Sequence, residues 1–148
     1  MSVEDRLAIQ EMIARYSHAY DDRDAETFAQ LFVEDGIFEV IVPGESGPTV
    51  RLSSRAAIRA WAAERHRLTA GSRARHHQSG VLFDELTTDT ARTRTMLLLT
   101  RQGAPDTAPL LHLTGVYHDT WRKVREGWRL VHRAARVDRD PGLTKHRA

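Results

Sequence analysis

The chain has 148 residues, the length of one ordinary domain, and its 41% hydrophobic and 28% charged residues are typical of a folded globular protein. It has no cysteine, which excludes disulfides, thiolate zinc sites, iron–sulfur clusters and cysteine nucleophiles, and which fits a reducing cytoplasm. The net charge of +2 comes from scattered arginines balanced by acids, so the charge pattern does not favour a nucleic-acid partner. We expect no signal peptide, and the longest apolar run, Met96 to Leu99, is far too short to cross a membrane.

Three helices are predicted in the first half of the chain. The first covers about residues 3–21, where residues spaced by four, three and four positions form one helical face, namely Ile9, Ile13, Tyr16 and Tyr20. Asp24 is a good N-cap for a short second helix, which the motif LFVEDG at residues 31–36 should end. Ser53 or Ser54 caps a third helix.

The rest of the chain is predicted to be mostly β. Residues 37–42 form a first strand, and the breaker-rich residues 43–48 and the segment 69–74 form loops. Four longer strands follow, over His76–Leu86, Thr90–Arg101, Leu110–Val124 and Trp128–Val137, and residues 138–148 have the composition of a polar tail. Helices followed by long strands with short turns predict a single α+β domain, with the helices packed on one face of an antiparallel sheet.

Asp21 lies at the inner end of the apolar face of the first helix, where an acidic side chain often has a function. Its expected partner is one of the adjacent His76 and His77, and only one of these can face the interior because side chains alternate along a strand. In an Asp–His pair the carboxylate orients the imidazole and leaves the second ring nitrogen free to act as a base. The residues alone also allow a simpler interpretation, in which Asp21 stabilises the turn of the DDRD segment.

The order and spacing of four segments resemble a known family. These segments are RDAETFAQLFVEDGIFEV, RHHQSGVLFDE, TARTRTMLLLTRQ and GVYHDTWRKVREGWRLVHR. Over about residues 3–137 the chain resembles the SnoaL-like branch of the nuclear transport factor 2-like superfamily. Relatives there include scytalone dehydratase, bile acid 7α-dehydratase, polyketide cyclases, ketosteroid isomerase and hexachlorocyclohexane dehydrochlorinase. The resemblance implies a cone-shaped barrel, in which a strongly curved antiparallel sheet wraps three helices around a deep apolar pocket.

The resemblance also implies a catalytic site. The Asp–His pair of the dehydratase and dehydrochlorinase members falls on Asp21 and His76, with His77 turned outward, and a tyrosine five residues before the Asp falls on Tyr16. His76 would act as the base, Asp21 would orient it, and Tyr16 would steady a developing oxyanion or leaving group. Core packing is the alternative for Tyr16. Many relatives have Asn where this chain has Gly80, a departure that would remove a polar group from the pocket wall.

The expected function is a cofactor-independent lyase or isomerase of the dehydratase type, acting on a small, mostly apolar molecule such as a polyketide, steroid or aromatic metabolite. The sequence has no P-loop and no dinucleotide fingerprint, so we expect no cofactor and no metal. A metal site would need histidines to converge from separate strands, drawn from His76, His112, His118 and His132. Arg133 and Arg136 face opposite ways on the last predicted strand, because their separation is odd. An arginine that reaches into the pocket could hold an anionic group, but we expect a solvated surface.

Two further interpretations remain open. The same fold can serve as a non-catalytic module that binds a ligand or dimerises, and a basic accessory protein for nucleic acid is a weaker option. We also expect a homodimer, because the outer face of the sheet carries apolar residues, namely Met96, Leu98, Val116 and Val131.

Overall fold

The computed structural model describes residues 2–138, which form an α+β fold with three helices on a six-stranded sheet. The elements in chain order are α1 (Val3–Asp21), α2 (Ala25–Gln30), β1 (Phe32–Ile41), β2 (Val50–Leu52), α3 (Arg55–Leu68), β3 (Ser72–Leu86), β4 (Thr90–Gly103), β5 (Leu110–Val124) and β6 (Gly127–Val137). The predicted fold class is confirmed. The tail predicted for 138–148 lies, apart from Asp138, outside the described residues.

The sheet is curved and does not close on itself, with the strand order β2-β1-β6-β5-β4-β3. Its strands pair antiparallel, with one difference from the expectation: β1 and β6 run parallel, and β1 contacts Ala134 and Ala135 of β6 through Glu39 and Val40. The helices lie on the concave side, where the apolar core forms. Within residues 2–138, no helix has both the length and the apolar character needed to cross a membrane.

The first helix follows its prediction closely. Ser2 is the N-cap, and its hydroxyl accepts the backbone N–H of Asp5 at 3.0 Å. The Asp5 carboxylate in turn accepts the indole N–H of Trp128 and the ammonium of Lys123, both at 2.8 Å. The start of α1 is thereby attached to the β5–β6 hairpin, which sets the position of the helix over the concave face.

The motif LFVEDG does not end a helix, and this prediction was wrong. Helix α2 already stops at Gln30, and Phe32 begins β1. The cause is a long-range pairing: Phe32 lies in parallel register with Leu130, whose N–H donates to the carbonyl of Leu31 at 2.9 Å. The backbone then shifts register before Ile37. An apolar pattern of this length fits either a helix or a strand, so the distant strand decides.

Strand β3 begins at Ser72, four residues earlier than the predicted His76, and its start is fixed by Arg23. Arg23 has a positive φ of 65°, which lets its side chain reach across from the α1–α2 turn. Its guanidinium donates to the carbonyls of Thr69 and Ser72 at 2.7 and 2.6 Å, and also to that of His66. These bonds satisfy carbonyls at the end of α3 and place the next strand against α1.

Candidate active site

A cavity of about 260 Å³ lies between α1, α3 and the concave face of the sheet. Its wall is mainly apolar, and the larger contributors are Phe38, Val40, Trp61, Leu97, Leu99 and Leu113. Leu97 and Leu99 face it because β4 alternates strictly between buried and exposed residues from Thr90 to Leu99, as predicted. A largely apolar cleft of this kind suits a small organic ligand.

The structure brings Asp21 and His76 together at the wall of this cavity. His76 Nδ1 lies 2.6 Å from one carboxylate oxygen of Asp21, and the backbone N–H of His76 donates to the other oxygen at 2.8 Å. Both side chains are nearly enclosed, with 10% of His76 and 4% of Asp21 exposed. Because the carboxylate can only accept, Nδ1 carries the proton, and the unprotonated Nε2 remains for a ligand.

Strand register selects His76 over its neighbour. His76 lies opposite Leu99, whose side chain also lines the cavity, whereas His77 lies opposite the partly exposed Leu98. The imidazole of His77 reaches only Thr100 Oγ1, at 3.3 Å. The next inward residue, Gln78, donates to the carbonyl of Ile13 at 3.0 Å and to Ser17 at 2.8 Å, which fastens β3 to α1.

Tyr16 also lines the cavity, with only 3% of its surface exposed. Its ring makes an edge contact with the ring of His76, with 6.3 Å between the centroids. Burial raises the pKa of Tyr16 to about 12, although the nearby charge of Arg133 acts in the opposite direction. The hydroxyl therefore keeps its proton at neutral pH and remains a hydrogen-bond donor.

Behind Tyr16 lies a buried ion pair. Arg133, expected at a solvated surface, is instead fully buried, and its Nε and Nη2 donate to the two carboxylate oxygens of Asp119 at 2.8 and 2.7 Å. The guanidinium also stacks between two tyrosines, 4.0 Å from the ring centroid of Tyr16 and 4.0 Å from that of Tyr117. Burial lowers the pKa of Arg133, but the charge and hydrogen bonds of Asp119 outweigh it and raise the pKa overall.

Residues 1–134 match the profile of the SnoaL-like domain. The chain belongs to the SnoaL-like domain family. No curated protein matches this SnoaL-like chain in sequence. Among solved structures, it is similar to a protein of unknown function from Mycobacterium tuberculosis, with 30% identity over 92% of this chain and 73% of the other and a TM-score of 0.75.

Two proteins from Novosphingobium aromaticivorans are similarly related. One is an NTF2-like protein with a cystatin-like fold, 29% identical over 97% of this chain and 90% of the other, with a TM-score of 0.79. The other is a candidate scytalone dehydratase, 25% identical over 99% of this chain and 91% of the other, with a TM-score of 0.78. The similar solved structures thus include one candidate scytalone dehydratase alongside a protein of unknown function.

Gly80 of the SnoaL-like chain does not bear on the cavity, contrary to expectation. It is exposed, has a φ of +62°, and lies where β3 shifts register against β4. A Cβ at this position would come within 2.4 Å of the terminal methyl group of Met96. The departure from Asn at this position therefore leaves the pocket wall unaffected, because Gly80 lies on the outer side beside Met96.

His112 is turned inward by a β-bulge, which simple alternation did not predict. Leu99 pairs with Leu113 and Thr100 with Leu111, so His112 is an extra residue on β5 and lines the cavity. Strict alternation along β5 would place it on the face of His118, six residues later. Within the described part of the chain, no three His, Asp or Glu side chains are grouped as metal ligands.

Three other cavity residues were not selected from the sequence. Tyr20, taken as core, has its ring centroid 5.1 Å from that of His76, closer than Tyr16. Arg65 of α3 and Arg101 of β4 also line the cavity. Charged residues on helices and strands are usually solvated, so neither was singled out. The signal was nevertheless present, because Arg101 continues the inward alternation of Leu97 and Leu99, and Arg65 follows Trp61 and Ala62 by four and three residues on α3.

Proposed function

We propose that this SnoaL-like protein is a cofactor-independent lyase or isomerase of the dehydratase type, acting on a small, mostly apolar molecule. The observation that supports this most strongly is the contact of Asp21 with His76, which lines a largely apolar cavity. A carboxylate that holds Nδ1–H leaves Nε2 as a general base. If Asp21 and His76 only stabilised the fold, His76 would not need to line a cavity large enough for a ligand.

In the proposed reaction, His76 Nε2 removes a proton from a carbon next to a carbonyl group. The C–H electron pair moves into the carbonyl, which becomes an enolate, and Asp21 stabilises the imidazolium that forms. In a dehydration, the enolate electrons re-form the carbonyl as the β C–O bond breaks, and the leaving hydroxide takes the proton from His76 and departs as water. In an isomerisation, the same proton returns to a different carbon.

Tyr16 is proposed to donate a hydrogen bond to the developing oxyanion or to the leaving oxygen. Its raised pKa, about 12 because of burial, supports a role as a donor and argues against a role as a base. Tyr20 is a rival for the same role, since its ring is closer to His76 and burial raises its pKa as well. Substitution of each tyrosine by phenylalanine separates the two.

The test uses small cyclic β-hydroxy ketones and unconjugated enones, whose conversion to conjugated products is followed by ultraviolet absorbance. His76→Ala should lower the rate by roughly 10²–10⁴-fold, the usual contribution of a general base. The matched control is His77→Ala, because this neighbour contacts Thr100 on the other face and should retain full activity. Equal losses for both variants, or turnover that does not depend on His76, would refute the assignment.

The alternative is a non-catalytic SnoaL-like module that binds the same class of ligand. It predicts binding without turnover, and it predicts that His76→Ala changes affinity only. A calorimetric titration of any ligand found in the screen, beside the rate measurement, distinguishes the two functions. The cytoplasmic location suggested by the cysteine-free sequence stays a prediction.

We also propose that the protein is a homodimer that buries the outer face of its sheet. Met96 and Leu98 are 56% and 38% exposed there, and Val116 lies opposite Met96. Met96→Glu should shift light scattering from the dimer mass to the monomer mass. Leu68→Glu, at an exposed leucine at the end of α3, is the control. A wild-type monomer at high concentration would contradict the proposal.

A further inference from the structure

The charges around the cavity are strongly unequal. Two arginines and two histidines line it, and no aspartate or glutamate occurs among its described lining residues. Asp21 and Asp119, the buried carboxylates behind the wall, are each already hydrogen-bonded to a basic side chain. The two arginines face a largely apolar space whose described lining residues include no acid, which favours an anionic ligand because low polarity strengthens charge attraction.

Arg101 is the residue on which this imbalance centres. It is partly buried at the cavity end of β4, and among residues 2–138 its guanidinium forms no ion pair. Its Nε has no hydrogen-bond partner within that range and is also shielded from solvent. A buried N–H of a charged group without an acceptor is costly, so the guanidinium is incompletely satisfied by the protein. An incoming oxyanion would bind this guanidinium through its terminal NH₂ groups, since Nε is shielded from the cavity as well.

Arg65 approaches the same region from α3. The charges of Arg65 and Arg101 both lower the pKa of Tyr20, although burial has the larger effect and raises that pKa overall. Both guanidinium groups are thus close to one hydroxyl on the cavity wall. Arginines that approach from a helix and a strand form a site with several donors, which suits the planar fork of a carboxylate.

The arginine end of the cavity lies close to His76. Leu99 is directly opposite His76, and Arg101 is two residues further along the same strand. Diagonal neighbours of this kind lie about 7–8 Å apart, with their Cβ atoms somewhat closer, so one small molecule can reach both side chains. The volume of about 260 Å³ is slightly below the usual range of ~300–1,000 Å³ for ligand pockets, which limits the ligand to about two rings.

We propose that the natural ligand is a small apolar carboxylic acid whose carboxylate binds Arg101 and Arg65 while its apolar part fills the cavity. The inference rests on the proposed function only in placing the reacting carbon at His76. Anchoring the acid group at one end would hold that carbon in position for proton removal. The binding preference itself needs no catalysis.

The experiment compares 2-naphthoate with 2-naphthamide, which have the same rings but differ in charge, by isothermal titration calorimetry on the full chain. Wild-type protein should bind the acid at least tenfold more tightly, as expected for a charge-assisted contact. Arg101→Gln should weaken binding of the acid by about tenfold or more and leave the amide unchanged. Arg92→Gln, an exposed arginine on the same strand with the same change in charge, should have no effect on either.

Several outcomes would overturn the proposal: no binding of naphthoate at millimolar concentration, equal affinity for acid and amide, or an equal effect of Arg92→Gln. Should Arg101→Gln lower the melting temperature too far for titration, Arg65→Gln provides the same test from α3. A missing acid preference together with His76-dependent turnover of a neutral ketone refutes this inference and leaves the proposed function standing. A preference for the acid without any turnover supports this inference and counts against the proposed function.

Discussion

Asp21→Asn should change the protonation of His76 more than it changes the stability of the fold. The carboxylate accepts two hydrogen bonds from one residue, the backbone N–H and Nδ1 of His76. An asparagine offers one oxygen and one NH₂ group in the same two places. The backbone N–H can only donate, so the amide oxygen must face it, and the NH₂ group then faces Nδ1. The imidazole proton therefore moves to Nε2, and the base on the cavity side is lost.

The energetic cost follows from the same contacts. Asp21→Asn keeps both hydrogen bonds but makes them neutral. A hydrogen bond is worth about 1.5–3 kcal/mol with a charged partner and about 0.5–1.5 kcal/mol with a neutral one. Each bond therefore weakens by about 1 kcal/mol, and the two together lose about 2 kcal/mol of stability. Asp21→Ala removes both and leaves the backbone N–H of His76 without a protein acceptor, which should cost about 3–6 kcal/mol. Asp22→Asn is the control: this exposed neighbour only lies 3.7 Å from Arg75, and its loss should cost less than about 0.5 kcal/mol.

Two measurements check the reasoning. Urea denaturation gives the free energy of unfolding of each variant, and long-range ¹H–¹⁵N spectra at about pH 9, where imidazoles are ordinarily neutral, report which nitrogen of His76 is protonated. Wild-type protein should show the proton on Nδ1, and Asp21→Asn should show it on Nε2. The same tautomer in both proteins would refute the assignment, as would equal stability losses for the Asn and Ala variants.

Three further outcomes are expected. Tyr16→Phe should slow turnover about 10- to 100-fold without altering the pH–rate profile between about pH 6 and 10, because a tyrosine with a pKa of about 12 does not ionise there. Asp119→Asn should lower the free energy of unfolding by about 3–5 kcal/mol, because it leaves the buried charge of Arg133 unpaired. Urea denaturation measures this loss, and a value below about 1 kcal/mol, as at an exposed site, would contradict the prediction. The hydrogen bond from Lys123, with those from Trp128 and Ser2, lowers the pKa of Asp5 from 3.8 to about 2. The ionised Asp5 therefore stabilises the folded protein above about pH 4, and this contribution is lost as the pH falls toward 2. Asp5→Asn should flatten the pH dependence of the free energy of unfolding between about pH 2 and 4. An unchanged fall in stability at acid pH would count against a contribution from the Asp5 hydrogen bonds.

Local pattern was sufficient for a large part of the fold, whereas the Asp21–His76 pair needed the family resemblance as well. The spacing of Ile9, Ile13 and Tyr16 defined α1 within a residue at each end, and β5 was predicted with its observed bounds. Period-two alternation predicted the buried face of β4. Family resemblance, added to the same alternation, selected His76 over His77 as the inward histidine. These features depend on residues that are close in sequence, and a regular helix or strand converts such spacing directly into direction.

Other features depended on contacts between distant residues. Phe32 became part of a strand only because β6 pairs with it almost a hundred positions later, and His112 faces the cavity only because β5 gains an extra residue against β4. Arg133 and Arg101 look alike in the sequence, but Asp119 neutralises the first while the second meets the cavity without a carboxylate. The sequence by itself determined the three helices, the four long strands and which face of each is apolar, but it indicated neither β2 nor the start of β1. The tertiary structure decided which charges are paired, because pairing depends on distances between elements that periodicity within one element does not contain.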